Sequence, residues 1–350
     1  MSKRIDLHIH LAGIGAPPAS RDGGCHQGCF VSPRMTRTIT YHALRRLLGA
    51  SQADPIEATR AFADRLVELL EQSQELDYAA VFAMDGVYDA GGLILPKESH
   101  LYVPNSYVFE VCRRSPKLLP VISINPQRQD ALDELAKWGP TAVAMKWLGP
   151  LQKFDPESPA HDRFYDALKE LALPVIAHSG CEHTFPGMAQ RLGNPMLYER
   201  LIKRGVPVIF SHCGTGSFMA PAHDYSAEFI TLLERYDNVY GDTSAFCSLV
   251  RRNQVRRFAA DRYIERIWHG SDWPIPSSAV YFLAELGFNR IFHLEKNRHP
   301  LDRDVATKRA MGVPDSVFTG AYHLLAPRIE RWEAARQVMN RLEGSAPGPA

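Results

Sequence analysis

Arg4-Ile5-Asp6-Leu7-His8-Ile9-His10 is the stretch from which the rest of the chain is read. Apolar and β-branched residues alternate here with Asp6, His8 and His10, the two-residue period of a β-strand. Residues two apart on a strand share a side. His8 and His10 therefore face one way together, and Leu7 and Ile9 the other. Two neutral imidazoles on one side of a strand suit a single metal ion, since zinc needs only two or three such partners in a catalytic site. The spacing alone is common, so its meaning depends on the rest of the chain.

Seven further short apolar runs lie downstream: Tyr78–Met84, Leu119–Asn125, Ala142–Leu148, Val175–His178, Val206–His212, Asn238–Asp242 and Arg266–Ser271. Helical patterns separate them, at Tyr41–Leu48, Pro55–Glu75, Gln129–Trp138, Asp162–Leu171, Met196–Lys203, Ser226–Tyr236 and Asn253–Tyr263. Strand and helix in alternation mean parallel strands joined by crossover helices. Eight repeats predict an α/β fold of the (β/α)8 TIM-barrel type, with a long loop after the first strand from Ala12 to Pro33. No glycine-rich phosphate loop follows that strand, which counts against a nucleotide-binding sheet. From Pro276 onward the pattern is helical (Ser278–Leu286, Asp302–Met311, Asp315–Leu324 and Arg328–Leu342) and is read as extra C-terminal helices covering the barrel. Residues 1–342 read as one domain and 343–350 as a flexible tail.

The 350 residues, 45% of them hydrophobic, supply ample material for one large core. A formal net charge of +1 implies no bulk attraction to nucleic acid or to an anionic membrane, and no reader motif or basic patch points to nucleic acid. No run approaches the ~18 apolar residues of a membrane span. The opening residues lack a secretory pattern, so the expectation is a cytoplasmic protein. Six scattered cysteines read as reduced thiols. Cys25 and Cys29 have the spacing of a metal pair, but no second pair completes a structural zinc site.

The chemistry lies in how the strands end. His10, Lys146, His178, His212 and Asp272 stand at or near the carboxyl ends of otherwise apolar runs, the face that carries the active site of such barrels. A buried carboxylate is costly unless paired or metal-bound, so Asp272 is expected as ligand, as base to an activated water, or as both. Lys146 has three open readings: a carboxylated amine bridging two metals, a grip on a substrate carboxylate, or a structural ion pair. Asp85, Trp147, Glu182 and His183, beyond the strand ends, are candidate substrate contacts, with a structural role equally open for each.

Together these positions resemble the amidohydrolase superfamily of metal-dependent (β/α)8 barrels, in particular its amidohydrolase-related branch, which holds aminocarboxymuconate semialdehyde decarboxylase-like enzymes and several hydrolases. The resemblance implies that His8, His10, His178 and Asp272 bind the principal divalent metal. It makes His212 a catalytic or second-metal residue, and it places Lys146 where the superfamily carries its bridging carboxylated lysine. Two features depart from the family pattern: the long segment after His10 with its Cys25-His26-Gln27-Gly28-Cys29, and Phe318-Thr319-Gly320-Ala321-Tyr322 where many relatives have Gly-Asn-Ala. The function this implies is a metal-dependent hydrolase cleaving an amide, ester, lactone or related bond of a small carboxylated substrate. One or two ions are expected, zinc first, with manganese or iron as alternatives. In the expected mechanism the ion polarises a carbonyl and acidifies water, Asp272 shuttles the proton, and His212 stabilises the oxyanion or orients the water. The competing readings are a non-oxidative decarboxylase of the same fold and, more remotely, a non-catalytic metal- or ligand-binding barrel. A homo-oligomer is compatible with all of them.

Overall fold

The computed structural model describes residues 2–13, 28–47, 54–217, 221–259 and 262–344. Cys25 and His26 of the post-strand segment and residues 345–350 of the expected tail lie outside the described residues.

Among the described residues ten strands form in chain order: β1 (Ile5–His10), β2 (Phe30–Val31), β3 (Tyr78–Phe82), β4 (Leu101–Tyr102), β5 (Leu118–Ile122), β6 (Ala144–Trp147), β7 (Val175–His178), β8 (Val208–Ser211), β9 (Val239–Asp242) and β10 (Ile267–Trp268). Eight of them pair in parallel in the order β1-β3-β5-β6-β7-β8-β9-β10, and β2 with β4 makes a separate antiparallel pair. Every one of the eight apolar runs is a barrel strand. Their side chains explain why: Val175, Ile176 and Ala177 of β7 and Val208, Ile209 and Phe210 of β8 are fully buried, as parallel strands covered on both faces require.

The ring closes through backbone hydrogen bonds between β1 and the segment after β10. Leu7 N donates to His269 O, Asp272 N to His8 O, and His10 N to Trp273 O, each at 2.9 Å. Gly270 is needed at this join, because a Cβ there would lie 2.8 Å from the Cβ of His8.

One end of the barrel is plugged by the helix Ser316–Gly344. Trp332 Nε1 donates to Leu118 O at 2.9 Å, Arg328 Nε to Ala142 O at 2.9 Å, and Tyr78 Oη to Glu333 at 2.7 Å. These contacts gather where the strands begin, so the plug sits opposite the strand ends that carry the titratable residues. The sequence pattern breaks this helix near Pro327; in the structure it runs through Pro327 as one element. The burial of Trp332 and Arg328 against the barrel floor outweighs the lost backbone hydrogen bond. Among the described residues no helix is long and apolar enough to cross a membrane.

The described parts of the excursion after β1 lie at the other end, beside His10 and Asp272. Phe30 of β2 stacks on Tyr102 of β4, with ring centres 5.0 Å apart. The helix Pro55–Gln72 starts on Asp54, whose carboxylate accepts from Ile56 N and Glu57 N. It lays Phe62 edge-on against Trp273, 5.0 Å away, beside the barrel join.

Candidate metal centre

The register of β1 against β3 shifts between Asp6 and Ile9, the kind of irregularity that re-aims side chains next to functional sites. His8 and His10 end with their Nε2 atoms 3.2 Å apart. Asp272 arrives from the far side of the barrel join, and its Oδ1 lies 3.2 Å from His8 Nε2 and 3.1 Å from His10 Nε2. These three side chains form a group whose ligand-type atoms all lie within 4.8 Å of one another.

His8 is fixed by a partner that sequence reasoning missed. Its Nδ1 meets Oδ2 of the buried Asp242, at the end of β9, at 2.9 Å. Burial, with the nearby Lys146 ammonium second, holds the His8 imidazole well below its ordinary pKa, so the ring is neutral. A neutral ring donating from Nδ1 to Asp242 turns an unprotonated Nε2 towards Asp272 and His10. Asp242 also accepts from the backbone N of His212 at 2.9 Å, from Ser244 N at 3.0 Å and from the Ser244 hydroxyl. A signal existed: the run Asn238–Asp242 ends in a carboxylate, just as Asp272 directly follows the eighth run.

His212 and His178 extend the row of imidazoles beyond His8. The centre of His212 is 5.2 Å from that of His8 and 5.0 Å from that of His178. His178 is buried, which pushes its pKa down to about 3, and its Nε2 has no hydrogen-bond partner. His212 Nδ1 lies 2.9 Å from the carbonyl of Ser244 and 2.8 Å from its hydroxyl oxygen. The carbonyl only accepts and the hydroxyl already donates to Asp242, so Nδ1 carries the proton and Nε2 is an acceptor. His212 and Asp272 both have left-handed backbone, φ 59° and 69°, and Gly180 and Gly214, two residues beyond His178 and His212, turn at φ 85° and 71°. Strain of this kind in non-glycine residues concentrates at functional sites.

Lys146 is fully buried on the inward side of β6. Its Nζ donates to Ser211 Oγ at 2.9 Å and lies 4.6 Å from the centre of the Phe82 ring. Among the described residues no carboxylate lies within ion-pair distance of it, which disfavours the structural ion pair. Burial pushes its pKa down to about 8.

Two of the expected substrate contacts lie apart from the group of His8, His10 and Asp272 and bond within the fold. Trp147 is the outward neighbour of Lys146; its indole donates to Ile124 O at 2.7 Å and packs among Phe154, Phe164, Tyr165 and Tyr198. The two-residue period of a strand forbids both Lys146 and Trp147 from facing the barrel axis. Asp85 commits both oxygens within the fold. Oδ1 accepts from Gly86 N and the Tyr88 hydroxyl, each at 2.7 Å, and Oδ2 from Asn125 N at 2.7 Å and Arg128 at 3.3 Å. It lines a separate polar hollow with Asn105 and Arg128. Glu182, by contrast, lines the same pocket as His10 and Asp272. His183 is exposed, with Nε2 3.1 Å from Ser217 Oγ, and is absent from that lining. A second residue missed by sequence is the buried Arg251, which braces the loops after β7 and β8 by donating to Cys181 O at 2.6 Å and to Thr215 O.

The donor set fits a divalent cation. Two nitrogens at the usual zinc distance on a tetrahedral ion would be ~3.3 Å apart, close to the 3.2 Å between the two Nε2 atoms. The unprotonated His8 Nε2 lies 3.2 Å from Asp272 Oδ1, and the buried Nε2 of His178, outside this three-residue group, has no hydrogen-bond partner.

Comparison with known proteins agrees with this architecture. The profile of the family described as Amidohydrolase matches residues 5–309. Among solved structures, an uncharacterised TIM-barrel protein of Bordetella bronchiseptica superposes with a TM-score of 0.57 at 15% identity, covering 96% of this chain and 99% of the other. A Pseudomonas putida protein assigned as a 2-pyrone-4,6-dicarboxylic acid hydrolase gives 0.54 at 16% identity, covering 93% and 98%. The 5-carboxyvanillate decarboxylase of Sphingomonas paucimobilis gives 0.52 at 13% identity, covering 93% and 99%. No curated protein sequence matches the chain.

Proposed function

This chain belongs to the amidohydrolase family, whose profile spans residues 5–309, and from that premise we propose that it is a metal-dependent hydrolase of a small molecule. His8, His10 and Asp272 would hold the ion, with His178 beside them. The observation that supports this reading is the meeting of His8 Nε2, His10 Nε2 and Asp272 Oδ1 within 3.2 Å of one another. A divalent ion, zinc first for so nitrogen-rich a set, supplies Lewis acidity and brings the ionisation of water towards neutral pH.

The remaining roles fall to the chain itself. Oδ1 of Asp272 faces the two imidazoles, which leaves Oδ2 to take a proton from the attacking water and return it to the leaving group. Burial raises the Asp272 pKa above its ordinary value, against the pull of His10, and so makes the carboxylate a better proton acceptor. His212, protonated on Nδ1, offers an acceptor at Nε2; it orients the water or serves as a ligand, and does not donate to an oxyanion in that tautomer. Asp242 acts through His8, holding its tautomer and its direction.

Two measurements test the reading. Elemental analysis of the purified chain is expected to find one or two equivalents of zinc, manganese or iron, and a metal-free, fully active preparation would overturn it. Carbon dioxide released in step with turnover would replace hydrolysis by decarboxylation. For the supporting carboxylate, Asp242→Asn is expected to weaken zinc affinity by about 10–100-fold, read by competition with a chromophoric chelator. An unchanged affinity would remove Asp242 from the centre.

A further inference from the structure

The pocket that opens onto His10 and Asp272 has walls unlike its floor. At the floor are these two residues and Glu182; above them stand Val31, Met35, Phe62, Leu101, Phe185 and Ile275. Three of the six, Val31, Met35 and Phe62, come from the excursion between β1 and β3. Val31, Met35 and Phe62 are themselves buried, with relative exposures of 4%, 3% and 2%, so the wall is packed from behind and keeps its shape. Arg45 is the one ammonium or guanidinium group among the described lining residues, and its guanidinium lies 5.8 Å from the centre of the Tyr41 ring on the same helix.

Resting on the metal-centre reading above, we propose that the substrate presents one carbonyl or carboxyl group to His10 and Asp272, and that the rest of it is an uncharged apolar body, an aromatic ring or branched alkyl group, held by these walls. A second carboxylate on that body would be drawn out of water against hydrocarbon and close to the anionic Asp272 and Glu182, at a cost that apolar contacts do not return. An apolar pocket with a few converging polar groups orients a ligand by its polar end and selects it by the shape of its body.

Three metal-directed probes decide the matter on the zinc-loaded chain, by calorimetric titration without turnover. Acetohydroxamate reports the metal centre alone, benzohydroxamate adds an apolar ring, and 3-carboxybenzohydroxamate adds a second charge. Benzohydroxamate is expected to bind at least about tenfold tighter than either of the others, the scale on which an apolar pocket discriminates. Ile275→Ala should shrink its advantage over acetohydroxamate severalfold, and Ile275→Arg should improve binding of the carboxylated probe relative to the plain one. Carboxylated and plain probes binding equally, or a carboxylate preference that Arg45→Leu abolishes, would overturn the proposal while leaving the metal centre standing. Failure of zinc and acetohydroxamate to bind would instead sink the metal reading; titration of benzoate against isophthalate on the same chain then still decides the wall chemistry, with a preference for isophthalate as the overturning result.

Discussion

Asp272→Asn is expected to lower kcat by about 10²–10⁴-fold, the worth of a positioned proton acceptor, while the barrel stays folded. The substitution keeps the size and shape of the side chain, and asparagine accepts the left-handed backbone that residue 272 adopts, φ 69°, as readily as aspartate does. The backbone N–H of residue 272 keeps its 2.9 Å bond to His8 O, so the barrel join is unaffected. What disappears is a charge and a basic oxygen: an amide neither takes a proton from water nor balances a cation held beside His8 and His10. Steady-state kinetics with an unchanged thermal unfolding curve would be the expected pair of results. Retention of a tenth or more of the wild-type kcat would remove Asp272 from the chemistry.

Lys146→Met is expected to stabilise the metal-free chain near pH 7 by roughly 2–3 kcal/mol, and the gain should fade as the pH rises. The folded protein holds the amine at about pH 8 against an ordinary 10.5. Between those values the unfolded chain binds more protons than the folded one, so wild-type stability climbs with pH across that window. Below about pH 8 the full penalty of a buried ammonium is present; above about 10.5 it is gone. A shift of that size corresponds to roughly 3 kcal/mol, less about 1 kcal/mol for the lost hydrogen bond to Ser211. Denaturant unfolding of both chains at pH 7 and pH 10, with a chelator present, reads the difference directly. Equal effects at the two pH values, or destabilisation at pH 7, would show that Lys146 is not strained by its burial.

Sequence foretold the barrel because eight short apolar runs alternate with helical patterns, and several of those runs end in a residue out of keeping with them. His178, His212 and Asp272 can be found one by one in this way, and Lys146 by its isolation among apolar neighbours. Trp147 escapes that reasoning only because the strand period went unused: the alternation that turns Lys146 inward also turns its neighbour outward. Asp242 obeys the strand-end rule as well as Asp272 does. Asp85 is different: its role is set by Asn125 and Arg128, about 40 residues downstream, and no local pattern announces that pairing. The continuity of the last helix across Pro327 is equally illegible, because what overrides the proline is the fit of Trp332 and Arg328 against the barrel floor.

The join between β1 and the segment after β10 has one further consequence. Seven neighbouring strand pairs make this ring, whereas the first and last strands meet through Leu7, His8 and His10 on one side and His269, Asp272 and Trp273 on the other. The candidate ligands straddle that same join. An ion shared by His10 and Asp272, 262 residues apart in the chain, would work as the clasp of a bracelet, turning about three quarters of the polypeptide into one closed loop. Closing so long a loop removes more freedom from the unfolded chain than closing a short one does. Metal occupancy is thus expected to govern how long the barrel stays shut as well as what it catalyses. Stripping the ion should expose the amides of Leu7, His10 and Asp272 to hydrogen exchange before those of the strands opposite.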